Sequence, residues 1–407
     1  MLNFKKRKKY VWLALISTLL LVLTGCDTNQ QEIFNAALKM QNVNSMQSQT
    51  SMTFQLKGTG FDTAQQQQID NASTFLNNAK LNFNMELSTN PQKTLNKAQM
   101  DFNLTSPSMN VDVPVWVNSD LTGLAPKATE IIKVPQIAAS SLPAKLAGKE
   151  YMVIDPYNMG MAGTSPVDAT SLLQFSKNFQ EAEIAFLTAY AQQYNPNIDL
   201  VDNGVQYVQT PDGQEAARMY ELKLNDAQFK DFISYTVNNF VNDPDAMNFV
   251  KNEMDSVLQI SQVPNQAATL SEFDQTFNSF VANKQTFLTQ FNNVMNQLKN
   301  VTILGDKGID IQYAVSNGYI IQESGYFNFK LDLAQLNQLA NNLDGQPNTP
   351  VEAKGVVDMT INFNSVISGI NAPTNITLPA VDSSNSFNYT DLLSLANTAT
   401  LNRAIFR

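Results

Sequence analysis

Side chains able to do covalent or acid–base chemistry are few in this sequence. The 407 residues include no histidine and one cysteine, Cys26. A chain without histidine lacks the commonest general base, the Ser-His-Asp triad and most zinc sites. A single cysteine cannot form an internal disulfide, so the fold has to be held by its core. The Cys26 thiol is therefore the side chain best suited to covalent chemistry.

The residues before Cys26 have the pattern of an export signal. Basic residues at 5–9 precede an apolar run, Val11 to Leu23, that only Ser17 and Thr18 interrupt. This run falls short of the roughly 20 apolar residues of a spanning helix, and a basic head with a short apolar run is typical of a signal peptide. The run leads into Leu23-Thr24-Gly25-Cys26, which resembles the lipobox of bacterial lipoproteins.

The resemblance implies a lipidated protein. In such proteins the signal peptide is cut before the cysteine, and the thiol accepts diacylglycerol. Metabolic labelling with palmitate detects this lipid. We therefore expect a signal peptide at 1–25 and a lipidated tether at 26–31, with lipid on Cys26 as the attachment to the outer side of the cell membrane. An ordinary cleaved signal with a chance cysteine and an uncleaved anchor remain alternatives.

The charge balance narrows the range of partners. The chain has a formal net charge of −10, and loss of the five positive charges at 5–9 takes this to −15. An acidic surface of this kind argues against nucleic acid, because phosphates are bound by Lys and Arg. It also argues against electrostatic adhesion to anionic lipids. We expect no nucleic-acid partner, and the sequence does not indicate any protein partner.

Carboxylates are the remaining candidates for catalysis or metal binding. Asp199, Asp202 and Asp212 lie near a turn, and Asp243 and Asp245 flank Pro244, but neither group has EF-hand spacing. Helix caps, turns and solvated charge are the simpler interpretation of both groups. The sequence contains no phosphate-cradling glycine loop and no dinucleotide fingerprint. We therefore expect no metal, no cofactor and no enzymatic activity, although distant carboxylates could still meet in a hydrolase cleft.

Alternating apolar residues predict the strands of an antiparallel sheet with one face buried. The pattern begins at Met52, continues through three further segments up to Val117, and returns in the C-terminal part, where Asn317-Gly318 is a hairpin signal. We predict that the sheet is half-barrel-like and that nine residues line its concave side as candidate cavity residues: Met52, Phe54, Leu81, Phe83, Met85, Met100, Phe102, Met359 and Ile361. The same pattern would also arise in a core filled by the protein's own helices.

Helical periodicity dominates the middle of the chain. Apolar residues at helical spacing predict a helical insertion at about 165–300, including one long helix from Leu270 to Leu298, with a hairpin around Pro211-Asp212-Gly213. The predicted fold class is therefore α+β, with helices packed on one face of the sheet and an insertion between its N- and C-terminal strands. We predict a single domain at 32–380 and a C-terminal tail at 381–407.

The order of these elements resembles the LolA/LppX-like lipoproteins. The similar stretches are 34–40, before the first strand, and 371–379, with its closing Ile-x-Leu-Pro pattern; the likeness in layout covers 32–155 and 300–380. The chain also looks like uncharacterised lipoproteins of low-GC Gram-positive bacteria. The resemblance implies a half-open antiparallel barrel that holds acyl chains or another apolar ligand. The helical middle departs from the minimal layout, which places the ligand cavity in doubt.

Three functions fit these observations. The first is a lipoprotein that binds a lipid or another apolar molecule in a sheet-lined cavity outside the membrane. The second is an interaction or structural protein of the envelope with a filled core. The third is an envelope hydrolase that uses carboxylates. A continuous apolar cavity would favour the first function, a packed interior the second, and converging carboxylates the third.

Overall fold

The structure, a computed structural model, describes residues 28–123, 127–155, 169–260, 265–343 and 354–395. The strands are β1 (Ser45–Thr59), β2 (Lys80–Thr89), β3 (Leu95–Ser106), β4 (Met109–Asp120), β5 (Lys127–Lys133), β6 (Tyr151–Ile154), β7 (Leu200–Thr210), β8 (Gly213–Leu224), β9 (Leu304–Ser316), β10 (Tyr319–Asp332), β11 (Val356–Ser368) and β12 (Ser386–Asn388). The helices are α1 (Thr28–Gln41), α2 (Thr63–Leu76), α3 (Gln136–Ala139), α4 (Ala169–Gln193), α5 (Asp226–Asn242), α6 (Pro244–Ile260), α7 (Gln266–Ala282), α8 (Lys284–Leu298) and α9 (Leu333–Leu343), with a 3₁₀ turn at Ala144–Leu146.

The strands of the described residues form one unclosed 12-stranded sheet. Its order is β12-β6-β5-β4-β3-β2-β1-β11-β10-β9-β8-β7. Every pair is antiparallel except β12 with β6. The N- and C-terminal strands meet at the centre, where β1 pairs with β11 from Gln47 opposite Ser368 to Thr59 opposite Val356. This confirms the predicted α+β class, with an antiparallel, half-barrel-like sheet and packed helices.

Tight turns connect the strands of two hairpins, and in each turn a glycine follows a small polar residue. Asn317 and Gly318 both adopt positive φ, 53° and 74°, between β9 and β10. Two successive positive φ values match the right-handed twist of the strands, and asparagine and glycine tolerate them best. Gly213, with φ 121°, closes the β7–β8 hairpin in the same region as the predicted Pro211-Asp212-Gly213 turn.

The helical insertion also extends the sheet. Helices α4 to α8 lie between β6 and β9, but the β7–β8 hairpin within them joins the sheet through β8 and β9. The long helix predicted from Leu270 to Leu298 is wrong as a single element, because α7 ends at Ala282 and α8 begins at Lys284, with Asn283 between them. The Asn283 side chain donates to the Ser279 carbonyl at 2.7 Å, and such local bonds compete with helix continuation.

The predicted tether and tail differ from the structure. Helix α1 begins at Thr28, so most of the stretch 26–31 belongs to the folded domain, and the Gln30 side chain is buried. In the predicted tail at 381–407, β12 pairs with β6, and Lys149 Nζ donates to the Ser384 carbonyl at 3.0 Å. In both places a polar side chain donates a hydrogen bond to the backbone carbonyl of a residue far away in the sequence. Amino-acid composition does not predict such contacts.

The predicted signal peptide and Cys26 lie outside the described residues. In the parts of the chain that the structure describes, no helix has the length and apolarity to cross a membrane.

Candidate functional site

All nine candidate cavity residues lie on one face of the sheet. Side chains directly opposite each other in an antiparallel pair point to the same side. Directly opposite pairs join Met52 with Leu81, Phe83 with Phe102, Met85 with Met100, Phe54 with Ile361, and Met359 with Leu56 of β1. Residues of one strand that are an even number of positions apart also share a face, which joins these pairs into one set. We call this side the apolar face. The structure therefore brings the nine residues together, while their role as a ligand lining stays a prediction.

The apolar face is larger than the predicted set. Across β4 to β6 it continues through Val113, Val115, Ile132 and Met152. In the other direction it continues through Phe363, Phe327, Ile309 and Leu224 of β11, β10, β9 and β8. Phe363 and Phe327 could have been found from the sequence, because each alternates with an apolar neighbour two residues away.

Helices bury one half of this face, which we call the covered half and which consists of β7 to β10. Tyr220 and Leu222 of β8 are 0% and 2% exposed, in one core cluster with Ile33 and Ala36 of α1 and Phe232 of α5. Here the alternative of a core filled by the protein's own helices describes the structure. Predicted helix residues such as Phe232 and Phe240 are ordinary core residues in this cluster.

Helix α1 is fastened to the covered half by polar contacts at its first turns. Asn29 Nδ2 donates to the Leu200 carbonyl at 2.9 Å, and Gln30 Nε2 donates to the Ile198 carbonyl at 2.5 Å. The hydroxyl of Tyr220 donates to Glu32, whose carboxylate also lies 4.0 Å from the Arg218 guanidinium. The first helix of the described chain is thus tied to strands that follow it by more than 160 residues.

Tyr220→Phe is expected to lower the free energy of unfolding by about 1–2 kcal/mol. The change keeps the buried ring but removes a hydrogen bond to a charged acceptor, and bonds of this type contribute about this much. Urea unfolding followed by circular dichroism would measure it. Tyr207→Phe is the matched control, because Tyr207 lies on the neighbouring strand and is 73% exposed. An equal loss in both variants would contradict the proposed contribution of the Tyr220–Glu32 bond.

The open half of the face consists of β1 to β6 and β11, where Val115 and Ser48 are buried and the neighbouring apolar residues keep more contact with solvent. Among the described elements, no helix packs extensively on β2 to β6, and α2 covers only the end of β1 near Gly58. Phe102 is 41% exposed, and Phe83, with its ring centroid 4.7 Å from that of Phe102, is half-buried. Large aromatic and methionine side chains at this exposure form a contiguous apolar surface, which is typical of a binding site.

The opposite side of the same strands is polar. Asn82 Nδ2 donates to Asn103 Oδ1 at 3.4 Å, and Asn103 Nδ2 donates to Asn110 Oδ1 at 3.3 Å, so amides form a row across β2, β3 and β4. Side chains of this kind are satisfied by one another and by water. The apolar face is therefore the side of these strands that gains from being covered.

Four polar residues interrupt the apolar face in a single row, and sequence reasoning missed them. Thr50 pairs with Ser365, Ser365 with Glu323, and Glu323 with Tyr313. The available signal was in β10, where Glu323 has the same parity as Phe327 and Phe329. A carboxylate in the apolar phase of an alternating strand is costly to bury without a partner.

Two of the aspartates considered as catalytic or metal-binding groups, Asp202 and Asp243, have structural roles. Asp202 Oδ2 lies 2.5 Å from Arg218 Nη2, which lowers the pKa of Asp202 through hydrogen bonding to the guanidinium. Asp243 Oδ1 accepts from the backbone N–H groups of Asp245 and Ala246 at 2.8 Å, as a helix cap does. In the described ranges, no cluster of three or more Asp, Glu, His or Cys could hold a metal ion.

Two grooves of the helical layer are separate from the apolar face. One of about 660 Å³ is lined by residues of α5 and its end, among them Asp231, Tyr235 and Asn242. The other, about 500 Å³, lies between α4 and α6 and includes Phe175 and Glu253. None of the nine predicted residues lines either groove, so they form a surface of their own.

No protein-family model and no curated protein matches this sequence. The functional argument therefore rests on the residues and on the geometry of the sheet.

Proposed function

We propose that this protein is an exported lipoprotein, cleaved before Cys26 and held on the outer side of the cell membrane by lipid on that residue, that binds a lipid or another apolar molecule. The ligand contacts the open half of the apolar face. The protein is not an enzyme and uses no cofactor.

The observation that carries the proposal is the contrast between the two halves of one apolar face. The covered half is filled by the protein's own helices, whereas Phe83, Phe102 and their neighbours on the open half keep contact with solvent. Burial of apolar area contributes about 25 cal/mol per Å². An apolar ligand that covers these aromatic and methionine side chains is stabilised accordingly.

The position of helix α1 supports the tether. Only Asp27 separates Cys26 from the first residue of α1, Thr28. Consecutive Cα atoms are 3.80 Å apart, so the chain that connects these two residues is at most about 8 Å long. Lipid on Cys26 would hold the folded domain directly against the membrane surface, from which an apolar ligand could pass to the sheet.

Native mass spectrometry of the chain 26–407 tests ligand binding. This form lacks the signal peptide and lipid but contains every described residue, so no described contact is lost. We expect an additional mass that corresponds to co-purified lipid and disappears after extraction with organic solvent. A clean apo mass after gentle purification, together with no uptake of a fluorescent lipid, would contradict the binding function.

The second candidate is an envelope interaction protein without a ligand cavity, and the covered half favours it. There α1 and α5 pack directly against Tyr220 and its neighbours. The two functions differ in what covers the open half. A lipid carrier would bury it against an apolar ligand, whereas an interaction protein would bury it against another protein. Retention of a partner chain, rather than lipid, in the same native mass measurement would support this alternative.

A further inference from the structure

A row of residues crosses the sheet from apolar to polar. Starting on β4, Val113 pairs with Phe102, Phe102 with Phe83, and Phe83 with Thr50. The row continues through Ser365 and Glu323, which pair with each other across β11 and β10. Its first half is thus hydrocarbon and aromatic, and its second half carries hydroxyls and a carboxylate.

The Glu323 carboxylate is partly enclosed and has no partner among the residues that the structure describes. Within the described part of the chain, no hydrogen bond or ion pair reaches it, although the side chain keeps some contact with solvent. Burial raises the pKa of this carboxyl. An unpaired carboxylate in such surroundings is costly to bury, and a ligand that donates hydrogen bonds to its oxygens would offset this cost.

Hydroxyl groups lie on both sides of Glu323. Ser365 Oγ accepts from Thr50 Oγ1 at 2.9 Å and lies 3.4 Å from Ser48 Oγ, a longer contact in which either hydroxyl can donate. On the other side, the Tyr313 hydroxyl has no hydrogen-bond partner among the described residues. Burial, and then the charge of Glu323, raise the pKa of Tyr313, so this hydroxyl stays protonated. One anionic acceptor therefore lies between two neutral groups that can donate or accept.

We propose that Glu323, Ser365 and Tyr313, which lie where the covered half meets the open half, hold the head group of an amphiphile whose head donates hydrogen bonds and carries no negative charge. The tail of this amphiphile lies along the row toward Phe83, Phe102 and Val113. This inference rests on the proposed function and names the class of its ligand. An amine or hydroxyl head supplies the donors that the Glu323 carboxylate lacks, whereas a carboxylate or phosphate head would be repelled.

The dimensions of the row suit a long-chain ligand. Five strand spacings separate Val113 on β4 from Glu323 on β10. At about 4.8 Å each they span roughly 24 Å, which a long acyl chain can cover. Gly325 lies next to Glu323 on the same face and contributes no side chain; its φ of 154° and a Cβ position 2.0 Å from the Asp310 carbonyl oxygen exclude one. Gly325 therefore places no side chain beside the carboxylate.

Three probes with the same alkyl chain separate the head group from the tail. Hexadecylamine, hexadecanol and palmitic acid are delivered from cyclodextrin to the chain 26–407, and bound probe is counted by native mass spectrometry. Glu323→Gln keeps the shape of the side chain and removes its charge. We expect the apparent affinity for the amine to fall about tenfold or more, that for the acid to rise severalfold, and that for the alcohol to change little.

Asp112→Asn is the matched control, since Asp112 is an exposed carboxylate on the polar side of β4. It should leave all three affinities unchanged. If the wild-type chain binds all three probes and Glu323→Gln changes none of them, or changes all three equally, the head-group site is contradicted while the proposed function stands. If the wild-type chain binds none of them, the proposed function itself fails.

A second measurement checks the state of Glu323 without ligand. A carboxyl whose pKa is raised by folding destabilises the folded state once it ionises, above its ordinary pKa of about 4.3. Glu323→Gln should therefore raise the melting temperature at neutral pH by roughly 2 °C and have no effect near pH 3. A lower melting temperature at pH 7 would mean that Glu323 has a stabilising partner, which would overturn the proposal.

The other charged groups near this part of the sheet have their own partners. Helix α1, which packs on β10, carries Glu32 and Lys39. Glu32 accepts from Tyr220, and Lys39 Nζ donates to the Asn317 carbonyl at 2.7 Å and lies 4.0 Å from the ring centroid of Tyr319. On β9 the titratable neighbour is Tyr313, which stays neutral, so the pH dependence predicted for Glu323 belongs to its own carboxyl.

Discussion

Cys26→Ala is expected to abolish metabolic labelling of the protein with palmitate and to leave it either as an uncleaved precursor or shed from the cell. The thiolate is the nucleophile that forms the thioether with diacylglycerol, and the alanine side chain has no atom that can replace it. The sequence contains no second cysteine to compensate. Labelling followed by fractionation of cells that produce the full chain would measure both effects, with the protein recovered as a precursor or in the medium.

A conservative change two residues earlier provides the control. Thr24→Ser keeps a small polar residue between Leu23 and Gly25 and should be labelled as well as the wild type. The nearly complete difference expected between the two variants makes this the sharpest test of the tether. Continued palmitate labelling of Cys26→Ala, or equal loss of label in both variants, would contradict lipid attachment at Cys26.

Phe102→Asp is expected to weaken binding of an apolar ligand about a hundredfold, or ~2.7 kcal/mol. The substitution removes an aromatic contact and places a charge where the ligand would have to desolvate it. The cost to folding should be about 1 kcal/mol, because Phe102 is already 41% exposed and no described helix packs on it. Titration of the chain 26–407 with the uncharged dye Nile red, beside a urea melt, would separate binding from stability.

Asn110→Asp adds the same charge to the other side of the sheet. Asn110 is exposed on β4 and accepts a hydrogen bond through Oδ1, which aspartate can also do. Dye binding should be unchanged in this variant. If Phe102→Asp binds the dye as tightly as Asn110→Asp, the open half of the apolar face is not the binding surface.

Local patterns were enough to predict which side chains share a face. The alternation of Met52, Phe54 and their counterparts in β2, β3 and β11 reflects the two-residue period of a strand, which is a property of the backbone. The same holds for the Asn317-Gly318 turn, whose positive φ values follow from the two residue types. Local sequence patterns did not predict hydrogen bonds from polar side chains to the backbone of distant residues, such as the bond from Gln30 to the Ile198 carbonyl.

Composition and spacing alone also determined the features around Cys26: a basic head, a short apolar run and a single thiol in a chain of negative net charge. The tertiary structure alone decided which half of the apolar face is covered. That choice depends on where α1 and α5 pack against β8, contacts between residues far apart in the sequence. It also decided that Glu323, Ser365 and Thr50 form one row. The reason is that side-chain direction along a strand is set within two residues, whereas strand register and helix packing depend on the whole chain.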